Sequence, residues 1–403
     1  MEHLKQYPDE FIKPLLLSFD IMSRFNVHFF TKSATFLKTD WHFFYLIPMV
    51  LIHYMAIILY TIRIFKEGTT VSELAFTVPV FFIIIQAFFK AAIVIPKKEH
   101  IVQLINGLGK NWRNVNLNER QIKKKDTDLK KLNLLLKVFY LGSMTASWQI
   151  MLTPAILSLL KFCIGQDLQY ILPFGYVCFF DPVQNGLIYI GMYAFQVYTM
   201  LKVIYVYIGT EILMVTFCAL LSIEFAMLRE DFCHVVPKQG KYFSSNEDRT
   251  HSIEELIQKH QKLLKLAKEL DYIFNRVVFV DLLFVTVIMC FFGFGITVAR
   301  GILDVVNNLI AVLALLLPTL VFSYYGEQQK QESAGIADSI YNSNWYCGNA
   351  SYQKIIYFVI KRAQKPCCLT SLKHAPITLH TFSKVVSTTW SYFSLITSVY
   401  GKD

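Results

Sequence analysis

Seven stretches of some twenty or more largely apolar residues recur along this 403-residue chain, and that recurrence limits its possible folds more than any other feature. A hydrocarbon layer about 30 Å thick is crossed by roughly 20 apolar residues in a helix. Helices satisfy their own backbone polar groups there, which isolated strands and loops do not. The stretches fall at 43–65, 71–95, 134–160, 187–217, 274–298, 302–324 and 377–399. The last is the most dilute, carrying His380, Lys384 and many Ser and Thr residues. Composition agrees: 54% of residues are apolar and 17% charged, against about 45–50% and about 25% in soluble chains. Disorder, collagen and a small disulfide scaffold are excluded, and too few charges remain to wet one large soluble domain. The reading is an all-α, single membrane domain of seven spans.

The formal net charge is +10, and its placement decides its meaning. Lys5, Lys13, Arg24, Lys32 and Lys38 precede the first span, and eleven basic residues from Lys97 to Lys137 lie between the second and third. Nine, from Arg229 to Arg276, lie between the fourth and fifth, and six, from Lys330 to Lys373, between the sixth and seventh. One side thus holds 31 of the 39 Lys and Arg residues. Excess Lys and Arg marks the cytoplasm. The N-terminus is therefore expected in the cytoplasm and the C-terminus outside, the reverse of a G-protein-coupled receptor. The opening MEHLKQYPDE has no apolar core, so the first span is expected to serve as its own signal anchor. At a juxtamembrane position the basic stretch 97–137 fits anionic lipid or a plain topology signal better than nucleic acid.

Signatures of catalysis are missing: no GxSxG, HExxH or GxxxxGK[ST] occurs. The eight cysteines show no CxxC spacing. On the expected topology Cys163 and Cys178 alone face an oxidising compartment, where they either pair or stay free. Cys367, Cys368, His374 and His380 fit no standard zinc spacing. No enzyme, metal or cofactor is read from this sequence.

The long segments on the basic side keep helical periodicity. In 253–274 apolar residues recur at three and four positions, with His260 inside the stripe, read as a packed interface histidine. The fourth span continues as a helical pattern through Leu220–Phe232, giving about 69 Å of helix if unbroken. Residues 218–275 and 325–376 are expected to form a helical cytoplasmic anchor, and 236–251 a polar linker. Within the fourth span Lys202 and Glu211 each cost about 2.5–3.5 kcal/mol if left in lipid, so they should face protein or water. The hydroxyls of the seventh span serve either as packing glue or as one wall of an aqueous path. In the second case Leu395 and Val399 form its hydrophobic constriction, flanked by Ser391 and Ser398. The outer halves of other spans are aromatic and nearly uncharged, as suits a small volatile ligand. Candidate pocket residues are Phe81 and Phe82, then Thr145, Trp148 and Gln149, then Tyr193, Gln196, Val197 and Met200.

From Glu254 to Val399 the chain resembles the insect odorant receptors. The contacts are SIEELIQKHQKLLKLAKELDYIFN, VIMCFFGF, SYYGEQQKQESAGIADSIYNSNWY and the long run opening RAQKPCCLTSLKHAP and closing on SYF. LPFGYVCFFDP is similar to the family's second outer loop. The resemblance implies a subunit of a tetrameric, ligand-gated, non-selective cation channel in the plasma membrane of olfactory neurons. Its pore is lined by the end of the last helix, which again lands on Leu395 and Val399. His260, Tyr341, Ser343, Trp345 and Tyr346 fall on anchor and assembly positions. The short linker implies a tuning subunit that partners a co-receptor, and a missing terminal Gln-Phe argues against the related gustatory receptors. The rival class, a metabotropic seven-helix receptor, requires the opposite orientation and normally carries DRY or NPxxY motifs, both absent here.

Overall fold

The computed structural model describes residues 4, 6–25, 27–30, 42–67, 71–165, 167, 169–175, 186–234, 252–299 and 301–400. The helices are α1 (Asp9–Arg24), α2 (His42–Glu67), α3 (Val71–Val94), α4 (Lys98–Asn111), α5 (Glu119–Cys163) and α6 (Gly186–Cys233). They continue as α7 (Ile253–Thr297), α8 (Ile302–Tyr341), α9 (Ala350–Ala363) and α10 (Leu379–Tyr400). Among the described residues α2, α3, α5, α6, α7 and α8 are long and apolar enough to cross a membrane. α10, at 22 residues, has the length, about 33 Å, but its hydroxyls dilute it.

α6 is the axis of the bundle. It runs 48 residues without a break, and every position from Val206 to Leu228 is buried. A helix buried all round belongs at the centre of a structure, and α1, α3, α5, α7 and α8 all pack on it. Its inward-facing hydroxyls bond their own helix: Thr210 donates to the Val206 carbonyl at 2.9 Å and Thr216 to that of Ile212 at 2.7 Å. By contrast α2, α5 and α8 carry rows of exposed aliphatics, including Leu51, Ile52, Met55, Leu152, Ile156, Leu159, Leu309 and Leu313. Such rows are stable only against lipid or another chain.

Beyond the apolar stretches, α5 to α8 pack together into a second, basic end of the bundle. α5 opens there on a capping box in which Asn118 and Gln121 exchange side-chain-to-backbone bonds. Ser252 and Asn349 cap α7 and α9 in the same manner. Arg113 pairs with Asp231 at 2.5 Å, and Glu332 of α8 receives both Lys124 and Arg229 at 2.7 Å. Leu220, Phe225 and Phe232 of α6 and Leu256, Leu270 and Phe274 of α7 are fully buried here. Each contributes about 1.5–3 kcal/mol by leaving water.

α1 was not foreseen as a helix. It lies along α6, burying Phe11, Leu15, Ile21 and Met22, and Ser18 donates to the Gly209 carbonyl at 3.2 Å. Glu10 of α1 accepts from the Trp112 indole at 2.9 Å and from Lys125. The linker expected at 236–251 lies outside the described residues.

Entry into α10 is set by a small hairpin, Thr370–Ser371 against Ala375–Pro376. Its turn holds Leu372 and Lys373 at positive φ. Asp271 of α7 clamps the first strand, accepting from both the amide and the hydroxyl of Thr370 at 2.8 and 2.7 Å. Gly326 of α8 leaves room for the chain to cross, since a Cβ there would stand 2.7 Å from the Ile377 carbonyl oxygen. Backbone cannot yield as a flexible side chain does. Gly326→Ala is therefore expected to lower the thermal midpoint of the purified protein by several degrees, read by fluorescence-detected size exclusion. An unchanged midpoint would show that the crossing is not tight.

Candidate functional site

A cavity of about 100 Å³ lies inside the apolar half of the bundle. α3 contributes Val80 and Ile83, and α6 contributes Met200, Ile204, Tyr207 and Ile208. Ser143, Ala146, Ser147, Ile150 and Met151 of α5 form one side, and Phe292, Ala311, Ala314 and Leu315 of α7 and α8 the opposite one. The Ser147 hydroxyl is spent on the Ser143 carbonyl at 2.7 Å. The walls therefore offer shape and apolar contact and few free hydrogen-bonding groups, the character of a site for a small apolar molecule.

Phe174, on the strap 169–175 between α5 and α6, also reaches the cavity. The strap is stitched down by polar groups from both helices. Gln196, fully buried, accepts from the Phe174 amide at 3.2 Å and donates to its carbonyl at 3.3 Å. Tyr189 donates to the Ile171 carbonyl at 2.9 Å, and Lys161 bonds the Gln169 side chain at 2.8 Å. His53 of α2 meets the Phe174 ring edge-on, with centroids 5.9 Å apart.

Of the nine residues proposed from sequence for a pocket, Met200 lines this cavity. Gln196 serves it indirectly by holding the strap. Tyr193 donates to the Met151 carbonyl, just behind the α5 wall. Phe81 stacks on Tyr54 at 5.1 Å, Phe82 meets Phe284 at 5.9 Å, and Val197 packs into the main core. On α5 the difference is one of helical phase. Thr145, Trp148 and Gln149 sit about 110–150° around the helix from the stripe 143, 146, 147 and 150 that lines the cavity. Thr145 and Trp148 are exposed, and Gln149 bonds Asn307 of α8. Small residues on a helix that otherwise carries Leu and Ile mark the stripe that lines this cavity.

Lys202 and Glu211 do not meet. Lys202 reaches the Arg24 carbonyl at the end of α1. Glu211 instead pairs with Lys90 of α3 at 2.6 Å, and Lys90 also pairs with Asp281 of α7 at 2.7 Å. Sequence reasoning passed over Lys90 and Asp281 as partners, although an ionisable residue inside an apolar span is itself a signal.

α10 turns Val385, Thr389 and Phe393 inward, where Cys290 of α7 reaches the Thr389 carbonyl at 3.4 Å and Phe393 approaches Gly293. Ser391, Leu395, Ser398 and Val399 face away and are exposed on the single chain, Leu395 by 59% and Val399 by 63%. Ser391 and Ser398 bond back to their own helix, at 3.1 and 2.8 Å. At the other end His260 is buried against Phe232, and burial, with Arg362 adding to it, pushes its imidazole down to about 4. It is therefore neutral near pH 7. Ser343 is buried and donates to the Ile340 carbonyl at 2.7 Å, the Trp345 indole donates to Tyr341 at 3.2 Å, and Tyr341 and Tyr346 are exposed. Among the described residues no cluster of His, Cys, Asp and Glu fits a metal ion. Cys163 is exposed and free, while Cys178 lies outside the described residues.

Comparison with known proteins defines the class. The family model of the 7tm odorant receptors matches residues 70–390. Putative odorant receptor 92a of Drosophila melanogaster is 26% identical over 276 residues, which span 67% of this chain and 66% of that protein. Odorant receptor 67c of the same species is 24% identical over 327 residues, 79% of this chain and 78% of that one. The solved structure of the olfactory receptor OR5 from Machilis hrabei in complex with eugenol superposes with a TM-score of 0.78 at 11% identity, covering 97% of this chain and all of that one. The structure of OR5 alone gives a TM-score of 0.73 at 12% identity. The chain belongs to the odorant receptor family, a family of membrane receptors and not of enzymes, and it has that family's fold.

The strap is expected to depend on its one buried amide. Gln196→Leu removes both bonds to Phe174 and should raise hydrogen exchange in 169–175 at least about tenfold, equivalent to about 1.4 kcal/mol of lost protection. Exchange at the wild-type rate would show that the other stitches suffice.

Proposed function

We propose that this chain is the odorant-binding subunit of a ligand-gated, non-selective cation channel that assembles with a co-receptor in the plasma membrane of olfactory neurons. The observation that carries the reading is the apolar, nearly donor-free cavity between α3, α5, α6, α7 and α8. A small volatile molecule gains there from apolar burial and shape, and the site asks for no charge. The related fold of OR5 takes eugenol, a ligand of that kind. Family membership supports odorant reception as the role.

The channel half of the reading rests on α10. One of its faces packs on α7 and the other presents Ser391, Leu395, Ser398 and Val399 to whatever surrounds the chain. Hydroxyls alternating with aliphatics suit a water path with a constriction that closes by dewetting. In this reading four chains, this one and its co-receptor, bring those faces together, and the basic end of the bundle forms the anchor. The charge asymmetry puts that end in the cytoplasm, the N-terminus with it, and the C-terminus outside.

Two outcomes follow in cells co-expressing the chain with a co-receptor. Ala146→Leu fills the inward stripe of α5 and should raise the half-maximal concentration of an activating odorant at least about tenfold, while Trp148→Ala, on the lipid side, leaves it within a factor of about two. Equal shifts from both would move the site elsewhere. Val399→Glu should alter cation permeability ratios or pore block without reordering ligand preference. Unchanged permeation with altered tuning would take Val399 out of the pore.

A further inference from the structure

The ion cluster joining α3, α6 and α7 is enclosed and unequal in charge. Lys90, Glu211 and Asp281 have side-chain exposures of 0%, 2% and 1%. One ammonium faces two carboxylates, at 2.6 Å from Glu211 Oε1 and 2.7 Å from Asp281 Oδ1, and on another side lies over the Tyr207 ring, 3.8 Å from its centroid. Gln86 gives Asp281 Oδ1 a second donor at 2.9 Å. Glu211 Oε2 and Asp281 Oδ2 are enclosed with no donor on either, and both carboxyl groups meet the same ammonium. α3 presents Lys90 and Gln86 to the cluster, α6 presents Glu211 and Tyr207, and α7 presents Asp281. Among the described residues neither carboxylate has a second cation within ion-pairing distance.

At Glu332, by contrast, Lys124 and Arg229 share one carboxylate, and both cations are more than a third exposed and reach bulk water. Lys90 and its partners are enclosed, so bulk solvent does not balance them. The cluster lacks one positive charge and one donor between two acceptor oxygens, and a single proton supplies both.

We propose that Glu211 binds one proton, so that the cluster is a neutral assembly of ammonium, carboxylate and carboxylic acid. The proton sits on Glu211, which has one donor where Asp281 has two. Losing it restores both carboxylates and leaves the cluster with one uncompensated negative charge. Stability from this site is fully present below the ordinary carboxyl range, where the unfolded chain is protonated too, and declines as pH rises from there until the folded cluster loses its proton. The site is independent of ligand and of the channel reading.

The test uses the purified full chain in lipid nanodiscs, comparing wild type with Glu211→Gln, whose amide replaces the carboxylic acid as a neutral donor of similar shape. The thermal midpoint of the wild type should fall relative to the variant as pH rises from about 5 to about 9. Its infrared spectrum at pH 7 should show a protonated-carboxyl C=O band that the variant lacks. Parallel pH profiles with no such band would overturn the proposal. So would a midpoint that rises with sodium at fixed ionic strength and loses that rise in the variant, since the missing charge would then belong to a metal cation. Should Glu211→Gln fail to fold, loss of the band in the wild type between pH 7 and pH 10 still supports the proposal, and absence of the band at pH 7 rejects it.

Discussion

A polar group carried into hydrocarbon must find its partner inside the protein, and this constraint shapes the receptor from the backbone outward. It makes the apolar segments helical, because only a helix closes its own hydrogen bonds within one segment. It then sorts the side chains: aliphatic rows on α2, α5 and α8 face outward, while Thr, Gln and charged residues turn inward to α6. Lys90 is the extreme case. Its ammonium is stable at that depth because helices from both sides bring Glu211 and Asp281 to it, so the contact fixes how α3, α6 and α7 sit against one another.

The cavity follows from the same sorting. Where α5 faces α6 with Ser143, Ala146 and Ser147, the side chains are too small to fill the gap that the surrounding larger residues set. Close packing elsewhere makes the remaining space a defined shape. Phe174 also lines it, from a strap whose backbone is held by Gln196 at Phe174 and by Tyr189 at Ile171. Tyr207 lines the cavity and covers Lys90, so the cavity and the charged cluster share a wall.

Much of the fold was legible because hydrophobic runs of membrane length leave few alternatives. The continuation of α6 beyond the apolar stretch could be read from Leu220–Phe232, and the capped start of α7 from the stripe at 253–274. α1 was missed because Pro14 and a short apolar run masked an amphipathic pattern that matters only once α6 offers a face to it. The pocket was least legible. Its face on α5 is set by which side meets α6, and a sequence supplies helical phase without supplying the neighbour. The partners of Glu211 were hidden for the same reason: Lys90 and Asp281 are 121 and 70 positions away in the chain, and only the fold brings them together.

The central claim is that ligand binding opens an ion path in the same assembly. It is tested most directly by recording from excised outside-out patches of cells expressing this chain with a co-receptor, with GTP absent and G-protein turnover blocked from the inner face. Odorant-evoked cation current that persists under those conditions is the expected result. Current that disappears as soon as nucleotide-dependent signalling is removed would contradict the account.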